Sequence, residues 1–319
     1  MREKKAFAER TKTRENDEVL RKYFLVFEGT ETEIKYFEAL EIKRKDLGIN
    51  PLIDLCPIVR NFHEMGWSNP KKILQELIKN IEESLSGKIS YESMIERMLE
   101  YLSSAQLLQD NTKNVADIRK DLCSIYRGNL SKPVEDLEDV CEKMLDTLQN
   151  KINNEATVEK IVENIKKQDI VYAENFDKIC LIVDRDRKSF IVNERINQYQ
   201  EVVSICQEKK IQLYISNPCF EFWLLLHFDE VKELNQKALL ENAKVGRKYT
   251  YAEKELRRLL PGYKKNFYNT EVLLKNIEKA IKNSELFSVN IEELENKIGC
   301  NIYQLILELR KLNTNNQAT

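Results

Sequence analysis

This chain is poor in the residues that make tight turns and in the residue that most often binds zinc. Its 319 residues include only 8 glycines, 6 prolines and 2 histidines. Scarce glycine and proline predict a helix-rich chain with few tight β-turns. Because His63 and His227 are the only histidines, His-rich zinc sites are excluded.

The seven cysteines form neither a disulfide framework nor a zinc ribbon. Their number is odd, no pair has C-x-x-C spacing, and several lie inside apolar runs. Both frameworks require paired or regularly spaced cysteines. We therefore expect reduced, mostly buried thiols, as in cytoplasmic proteins.

Long apolar runs and the phosphate-binding loop of ATPases are also missing. No stretch approaches the ~18 apolar residues of a membrane span, and the charged beginning of the sequence has no apolar signal segment. We expect a soluble, cytoplasmic protein with no membrane partner. No G-x-x-x-x-G-K-[ST] motif occurs, which excludes a P-loop ATPase. If ATP is used, another subunit hydrolyses it.

The charges of the chain nearly cancel. Lys and Arg number 51 and Asp and Glu 53, a formal net charge of −2. Any basic surface for nucleic acid must therefore be local. The hydrophobic fraction of 42% allows a substantial core, and the length suits one large domain or two ordinary ones.

Short apolar runs alternate with helical patterns along much of the sequence. Tyr23–Phe27, Leu52–Val59, Lys178–Val183 and Ile211–Ser216 have the length and composition of buried strands. A helical pattern follows most of them, including one predicted over 192–210. This alternation predicts an α/β fold with a parallel sheet flanked by helices.

Between the second and third predicted strands, the sequence shows only helical patterns. The patterns at 68–87, 91–109, 115–126 and 133–167 are rich in Leu, Ile, Glu and Lys. We therefore predict a large all-helical insertion over 63–170. Two interpretations stay open: a structural lid packed on the sheet, or a docking surface for an ATPase.

These patterns divide the sequence into five segments. Residues 1–22 are predicted to form a charged flexible arm, and 313–319 a polar tail. The α/β core is predicted to comprise 23–62 and 171–312, with the helical insertion between them. The second part of the core ends in a basic helical region.

Polar side chains follow three of the predicted strands. The first strand ends at Glu28, the third at Asp184 and Asp186, and the fourth at Asn217, with Glu221 one turn into the next helix. In an open parallel sheet the carboxyl ends of the strands lie along one edge, where ligands bind. These side chains are therefore expected to converge.

Several carboxylates in one cleft need a compensating charge. They repel one another, and burying them unpaired is costly. Mg²⁺ or Mn²⁺ meets that need, because such ions bind carboxylates, keep several waters and leave positions for phosphate oxygens. An ion of this kind can polarise a phosphodiester and lower the pKa of an attacking water. Asp184 and Asp186, two apart at a strand end, can both face one ion.

Each of these residues also has an ordinary structural explanation. Glu28 and Gly29 could form a turn, the 184–187 segment could be a solvated loop with local salt bridges, and Glu221 could complement a helix dipole. The helix that carries Glu221 is apolar nearly all round, so its carboxylate needs a partner. His227 on the same helix is expected to form hydrogen bonds inside the packing.

Three segments carry a family resemblance. They are FLVFEGTETEIKYFEAL at 24–40, ICLIVDRDR at 179–187 and, most specifically, ISNPCFEFWLLLHF at 215–228, with weaker matches in PGYKKNFY and IGCNIYQLILEL. These segments resemble the RloB-like family, which is related to the AbiL-type phage-resistance protein and carries a Toprim-like fold. Together these short segments cover about a fifth of the sequence. The helical block departs from the compact family pattern.

The resemblance implies a Toprim-type site. In such a site Glu28 would serve as general acid/base or metal ligand, and Asp184 and Asp186 would bind Mg²⁺. Relatives of this fold include topoisomerases, primases and the nucleases of OLD-type defence proteins. RloB-like proteins are typically encoded beside an ABC/AAA-like ATPase, and the pair is viewed as a defence module.

A basic and aromatic segment follows the predicted site. Lys244–Tyr268 carries eight Lys or Arg against two Glu, interleaved with tyrosine and phenylalanine. Basic side chains neutralise phosphates while aromatic rings stack on bases, as in proteins that bind single strands. A solvated helix face with a loop is the alternative. Lys264 and Lys265 are the best candidates for phosphate contacts.

We therefore predict a Mg²⁺- or Mn²⁺-dependent nuclease that acts as effector of an anti-phage, abortive-infection system under the control of an ATPase. Its substrate would be RNA or DNA, and a homo-oligomer is possible. A non-catalytic adaptor that binds its ATPase or a phage protein is the main alternative, and primase-like nucleotidyl transfer is a third.

The catalytic candidates are Glu28, Asp184, Asp186 and Glu221, the first three also as metal ligands. The supporting candidates are Gly29, Glu33, Asn217 and His227, and the nucleic-acid-binding candidates are Arg187, Lys264 and Lys265.

Overall fold

A computed structural model gives the fold for most of the chain. It describes residues 20–29, 31–58, 69–108, 115–148, 151–152, 156–167, 172–186, 190–193 and 196–311. The described residues form a mixed α/β structure, which confirms the predicted fold class at that level. The predicted tail and the first 19 residues of the predicted arm lie outside these ranges.

The strands are short, as expected for a helix-rich chain. The described strands are β1 (Arg21–Phe27), β2 (Ile53–Ile58), β3 (Lys178–Asp184), β4 (Ile191–Asn193), β5 (Ile196–Asn197), β6 (Gln212–Asn217), β7 (Lys244–Val245), β8 (Tyr249–Thr250) and β9 (Gly299–Cys300).

Helices occupy most of the remaining described residues. They are α1 (Thr32–Ile42), α2 (Pro70–Ser86), α3 (Tyr91–Ser104), α4 (Val115–Ile125), α5 (Leu137–Leu148), α6 (Val158–Lys167), α7 (Tyr199–Glu208), α8 (Phe220–Leu225), α9 (Gln236–Glu241), α10 (Tyr251–Leu259), α11 (Thr270–Lys275), α12 (Ile277–Ser284), α13 (Ile291–Leu294) and α14 (Ile302–Arg310). No described helix has both the length and the apolar character that crossing a membrane requires.

Five strands form one mostly parallel sheet in the order β2-β1-β3-β6-β9. The first four are parallel, and β9 pairs antiparallel with β6. In the register, Phe27 lies beside Ile182, and Asp184 beside Ser216. The carboxyl ends of β1, β3 and β6 therefore meet at one edge.

Continuous burial explains why β1 and β3 lie in the middle of this sheet. Nearly every residue of both strands is buried, as unbroken apolar runs predict for parallel strands covered on both faces. Helix α8 is buried at all six of its residues and belongs to the same core. Burying each large apolar side chain of this core contributes roughly 1.5–3 kcal/mol.

The described residues fall into two compact units. One contains those between 75 and 174, and the other contains those of 12–59, 67–74 and 175–311. The first unit has its own core, built from the apolar faces of α3 to α6. Its fully buried members include Met94, Met98, Leu102, Leu122, Met144, Leu148 and Ile161.

Two helical predictions are wrong in their boundaries. The pattern over 192–210 was expected to be one helix, but β4 and β5 form an antiparallel pair before α7 begins at Tyr199. The β-branched residues of 191–196 favour strand locally, and the helical period does not extend to them. The pattern over 133–167 is divided into α5 and α6.

Candidate carboxylate site

The ends of β1 and β3 are joined by a side chain. Glu28 follows β1 directly, and its Oε2 accepts a hydrogen bond from the backbone N–H of Asp184, the last residue of β3, at 3.0 Å. The backbone N–H of Glu28 donates to Ile182 at 3.0 Å. Two residues separated by 156 positions are thus fixed beside each other, as expected from the parallel sheet.

Glu33 folds back over Gly29. It lies in the first turn of α1 and is buried, and its carboxylate accepts hydrogen bonds from its own N–H and from the N–H of Gly29. A Cβ at residue 29 would lie only 2.2 Å from Glu33 Oε2. A side chain at residue 29 would therefore displace the Glu33 carboxylate from this position.

Glu221 finds the partner that its apolar helix requires. Its side chain is 5% exposed, and Oε1 accepts a hydrogen bond from the Tyr263 hydroxyl at 3.0 Å. The Lys265 ammonium lies 3.5 Å from the same oxygen and 3.7 Å from Glu253 Oε1. The basic segment thus reaches the acidic edge of the sheet through Lys265.

The electrostatics of Asp184 indicate that four carboxylates share this edge. Burial raises the pKa of Asp184 well above its ordinary value, and the carboxylates of Glu33, Glu28 and Glu221 raise it further. The Lys265 ammonium acts in the opposite direction. We call Glu28, Glu33, Asp184 and Glu221 the carboxylate cluster.

Within the carboxylate cluster, Glu33 is poised to exchange a proton near neutral pH. Burial raises its pKa to about 7. Hydrogen bonds from two backbone N–H groups favour the ionised form, Glu221 opposes it, and Lys265 favours it. A carboxyl with this pKa is half protonated near the pH at which many enzymes work.

The two candidate lysines have different surroundings. The pKa of Lys265 is raised, mainly by the charge of Glu221 and then by that of Glu253, so its ammonium stays protonated. Lys264 is exposed, and its backbone closes a turn with Phe267. Lys265, a residue of the basic segment, therefore contacts the carboxylate cluster through Glu221.

Asn217 and His227 lie inside the packing. The Asn217 amide donates to the carbonyl of Leu294 at 2.7 Å. His227 Nδ1 lies 3.0 Å from the carbonyl of Trp223, and Nε2 lies 3.0 Å from the Tyr36 hydroxyl. Because a carbonyl can only accept, Nδ1 carries the proton and Nε2 accepts from Tyr36.

Burial determines the charge state of His227. Its side chain is completely buried, and burial lowers its pKa to about 4. The imidazole is therefore neutral at physiological pH. This arrangement agrees with the expectation of a histidine that forms hydrogen bonds inside the packing.

The loop after β3 is described only in part. Asp186 is exposed, whereas Arg185 is buried with its guanidinium 5.4 Å from the ring centroid of Phe190 and 5.2 Å from that of Tyr199. The guanidinium also donates to the backbone carbonyl of Asp186 at 3.2 Å. Arg187 lies outside the described residues.

Two residues of the site were not singled out from the sequence. Tyr263 hydrogen-bonds to Glu221, and Glu253 shares Lys265 with Glu221. Neither has a spacing that connects it to the strand ends, since both lie on later elements. The partial family match at PGYKKNFY and the basic and aromatic segment Lys244–Tyr268 both include Tyr263, but neither connects it to Glu221.

The donor chemistry of the site fits a hard divalent cation. Carboxylate oxygens are the ligands that Mg²⁺ and Mn²⁺ prefer, and the carboxylate cluster concentrates negative charge that Lys265 offsets only in part. Among the described residues, however, no three His, Cys, Asp or Glu side chains are already arranged to hold a metal. The described site is thus a set of suitable donors rather than a ready-made centre.

The chain was compared with models of known protein families. The family described as "RloB-like protein" matches residues 101–309. That range includes Asp184, Glu221 and Lys265 but not Glu28 or Glu33. No curated protein and no solved structure matches the chain.

Proposed function

The chain belongs to the RloB-like protein family, and we propose that it is a divalent-metal-dependent phosphodiester hydrolase that acts on nucleic acid. The observation that carries this proposal is the hydrogen bond that joins Glu28 to the backbone of Asp184 where β1 and β3 end, in a place where Glu33 and Glu221 also act on the Asp184 carboxylate and raise its pKa. Such a cluster is costly unless a cation or protons compensate it. A Toprim-like arrangement of the sheet is part of the same proposal.

In this proposal Glu28, Asp184 and Asp186 hold Mg²⁺ or Mn²⁺. Glu28 and the backbone of Asp184 are joined by a hydrogen bond, and Asp186 lies two residues after Asp184, in the loop that follows β3. A bound ion would polarise the phosphodiester and lower the pKa of water. The three carboxylates would bind the ion and fix its position.

Lys265 would contact a substrate phosphate. It already lies between Glu221 and Glu253, is 58% exposed, and stays protonated. Glu221, held by the hydroxyl of Tyr263, would fix the position of this ammonium. Glu221 then acts as a positioning residue rather than as a catalytic residue.

Glu33 would carry a proton during the reaction. Its pKa of about 7 allows it to accept and release a proton near neutral pH. Gly29 leaves the space that holds this carboxylate in place. A general acid/base role for Glu33 therefore complements the metal-holding role of Glu28.

We further propose that the enzyme is an effector of an anti-phage system that a separate ABC/AAA-like ATPase restrains or triggers. Membership of the RloB-like family supports this proposal, together with the absence of a P-loop motif from the sequence. A nuclease of this kind would harm its own cell if it were always active. Control by a partner would prevent that harm.

A non-catalytic adaptor that binds an ATPase or a phage protein is the second candidate. It is favoured by one observation: the described side chains do not form a ready-made group of three metal ligands. An adaptor would keep the fold and would not require the acidic edge to react.

The deciding experiment measures cleavage and metal binding in the same protein. Wild-type protein is incubated with Mn²⁺ or Mg²⁺ and with single- and double-stranded RNA and DNA, with and without an ABC/AAA-like ATPase as the proposed partner. Calorimetric titration of Mn²⁺ accompanies the assay. We expect cleavage that depends on metal and falls by about 10²-fold or more in Asp184→Asn, because metal-held carboxylates position the reacting groups.

Asp46→Asn is the matched control, since Asp46 is 74% exposed and lies on a surface turn. It should retain full activity and metal binding. If neither Mn²⁺ binding nor cleavage occurs under any of these conditions, the hydrolase proposal fails and the adaptor is favoured. Cleavage that persists unchanged in folded Asp184→Asn would also overturn it.

A further inference from the structure

A tight turn presents one aromatic ring to solvent beside the carboxylate cluster. The turn joins α10 to α11, and its ends are closed by hydrogen bonds between the backbones of Lys264 and Phe267 at 2.8 and 2.9 Å. We call residues 264–267 the basic turn. Its tip contains Lys265, whose ammonium contacts Glu221.

The residues on either side of the basic turn anchor it. Tyr263 and Tyr268 are buried, and their rings pack together with centroids 5.4 Å apart. The Tyr263 hydroxyl donates to Glu221, and the Tyr268 hydroxyl donates to the carbonyl of Thr32 at 2.6 Å. The turn is thus fixed to both α8 and α1, which carry members of the carboxylate cluster.

Phe267 is the ring that this anchored turn exposes. Its side chain is 67% exposed. The other aromatic residues of the basic segment are less available: Tyr263 and Tyr268 are buried, and the Arg257 guanidinium lies 4.4 Å from the ring centroid of Tyr249. Removing an exposed phenylalanine ring from water is favourable, so a ligand that covers the Phe267 ring gains free energy on binding.

Three lysines lie near Phe267. The Lys35 ammonium lies 5.3 Å from the ring centroid, and Lys264 and Lys265 belong to the same turn. Amines beside an exposed ring match the chemistry of a nucleotide, in which a flat base is joined to a negatively charged phosphate. An apolar surface of a partner protein would not require three lysines around the Phe267 ring.

We propose that Phe267 stacks on an unpaired base of single-stranded nucleic acid while Lys264 and Lys265 contact the adjacent phosphates. In a duplex the faces of the bases are covered by their neighbours, so only an unpaired or terminal base offers its face to a ring. This inference deepens the proposed function, because it assigns a single-stranded substrate to the same site. The binding step does not depend on catalysis.

The test measures binding without cleavage. Fluorescence anisotropy in EDTA compares the affinity of the full-length protein for labelled single-stranded RNA, single-stranded DNA and a blunt duplex of the same sequence. We expect tighter binding of a single strand than of the duplex. Phe267→Ala should weaken single-strand binding roughly 5- to 150-fold, the range measured for loss of one base–aromatic stack.

Two further variants sharpen this test. Phe267→Trp should retain binding, and its added fluorescence should be quenched by the single strand but not by the duplex. Leu286→Ala removes another exposed apolar side chain, 57% exposed, and should leave the affinity unchanged. An affinity that is the same for Phe267→Ala and wild type, or no preference for single strands, would overturn the inference.

Failure of the inference and failure of the proposed function give different results. Phe267-dependent binding without metal-dependent cleavage supports the stacking site and contradicts the hydrolase. Metal-dependent cleavage with an affinity that is indifferent to Phe267 contradicts the stacking site and leaves the hydrolase standing.

Discussion

Gly29 shows how a single residue can be fixed by space rather than by backbone conformation. Substituting Gly29→Ala would place a Cβ 2.2 Å from Glu33 Oε2, so the carboxylate has to move. Because it would then lose the backbone N–H of Gly29, we expect the free energy of unfolding to fall by about 1–3 kcal/mol. Urea unfolding followed by circular dichroism measures the change.

A double-mutant cycle separates this clash from a general effect on the turn. In a Glu33→Ala background the carboxylate is gone, so Gly29→Ala should cost much less than in the wild type. An equal cost in both backgrounds would show that residue 29 is constrained by something other than Glu33.

Glu33 should make stability depend on pH. Its pKa is raised to about 7 in the folded protein from an ordinary value of 4.5, so the folded state binds more protons than the unfolded state between these values. Stability therefore falls as pH rises from about 4.5 to about 7, by on the order of 3 kcal/mol. Urea unfolding at a series of pH values measures the slope.

The matched variant for this measurement is Glu33→Gln, which cannot ionise. It should show a shallower slope over the same range, so that its stability relative to the wild type increases with pH. Added Mg²⁺ should stabilise the wild type more at pH 8 than at pH 5, because the ion competes with protons for the same oxygens. Identical slopes for the two proteins would rule out the assigned pKa.

At the residue scale, the sequence predicted where the site residues lie in the fold better than it predicted which side chains they contact. Glu28 and Asp184 were expected at one edge because parallel strands end there, and the structure joins them by a hydrogen bond. The partners of Glu221 could not be predicted in this way. Tyr263 and Lys265 reach it through a turn whose path depends on tertiary packing.

At the scale of elements, the basic turn links α10 to the carboxylate cluster through the Lys265 ammonium, which lies between Glu253 and Glu221. Substituting Lys265→Met removes the ammonium that lowers the pKa values of Glu33 and Asp184. We expect the pKa of Glu33 to rise further, as measured by NMR titration of labelled carboxyl groups. The loss of stability should be about 1–3 kcal/mol, because the buried Glu221 carboxylate loses its charged partner and keeps the Tyr263 hydroxyl.

Lys264→Met is the control within the same turn. Lys264 is exposed and is not among the charges that act on Glu33, so its removal should leave the Glu33 titration unchanged. Lys265→Arg keeps the charge and should restore most of the wild-type titration. Equal effects of Lys264→Met and Lys265→Met would indicate a general effect of net charge.

Strands that consist of an unbroken apolar run were predicted well, whereas short strands that form only by pairing with another segment were not. The buried strands β1, β3 and β6 followed from continuous apolar runs. The β4–β5 pair and the two-residue strand β9 depend on partners elsewhere in the chain. Short segments of this kind carry too little periodicity to be recognised locally.

At the scale of the whole molecule, the helical unit has a core that needs no residue from the sheet. The buried apolar residues of that core all lie between Met94 and Ile165. We therefore expect an isolated fragment of residues 69–174, which keeps α2 complete with its Asn69 cap, to fold by itself. Circular dichroism should show helix, and urea should unfold the fragment in one cooperative transition.

The core of the fragment can be tested by matched substitutions. Met98 is fully buried, so Met98→Ala should lower the free energy of unfolding by about 2–5 kcal/mol or abolish folding. Leu85 is 51% exposed, so Leu85→Ala should change it by less than about 0.5 kcal/mol. A fragment that stays unfolded, or one equally sensitive to both changes, would mean that the helices between β2 and β3 depend on the α/β unit. In that case the block would be a part of the sheet domain rather than a separate surface on which a partner could act.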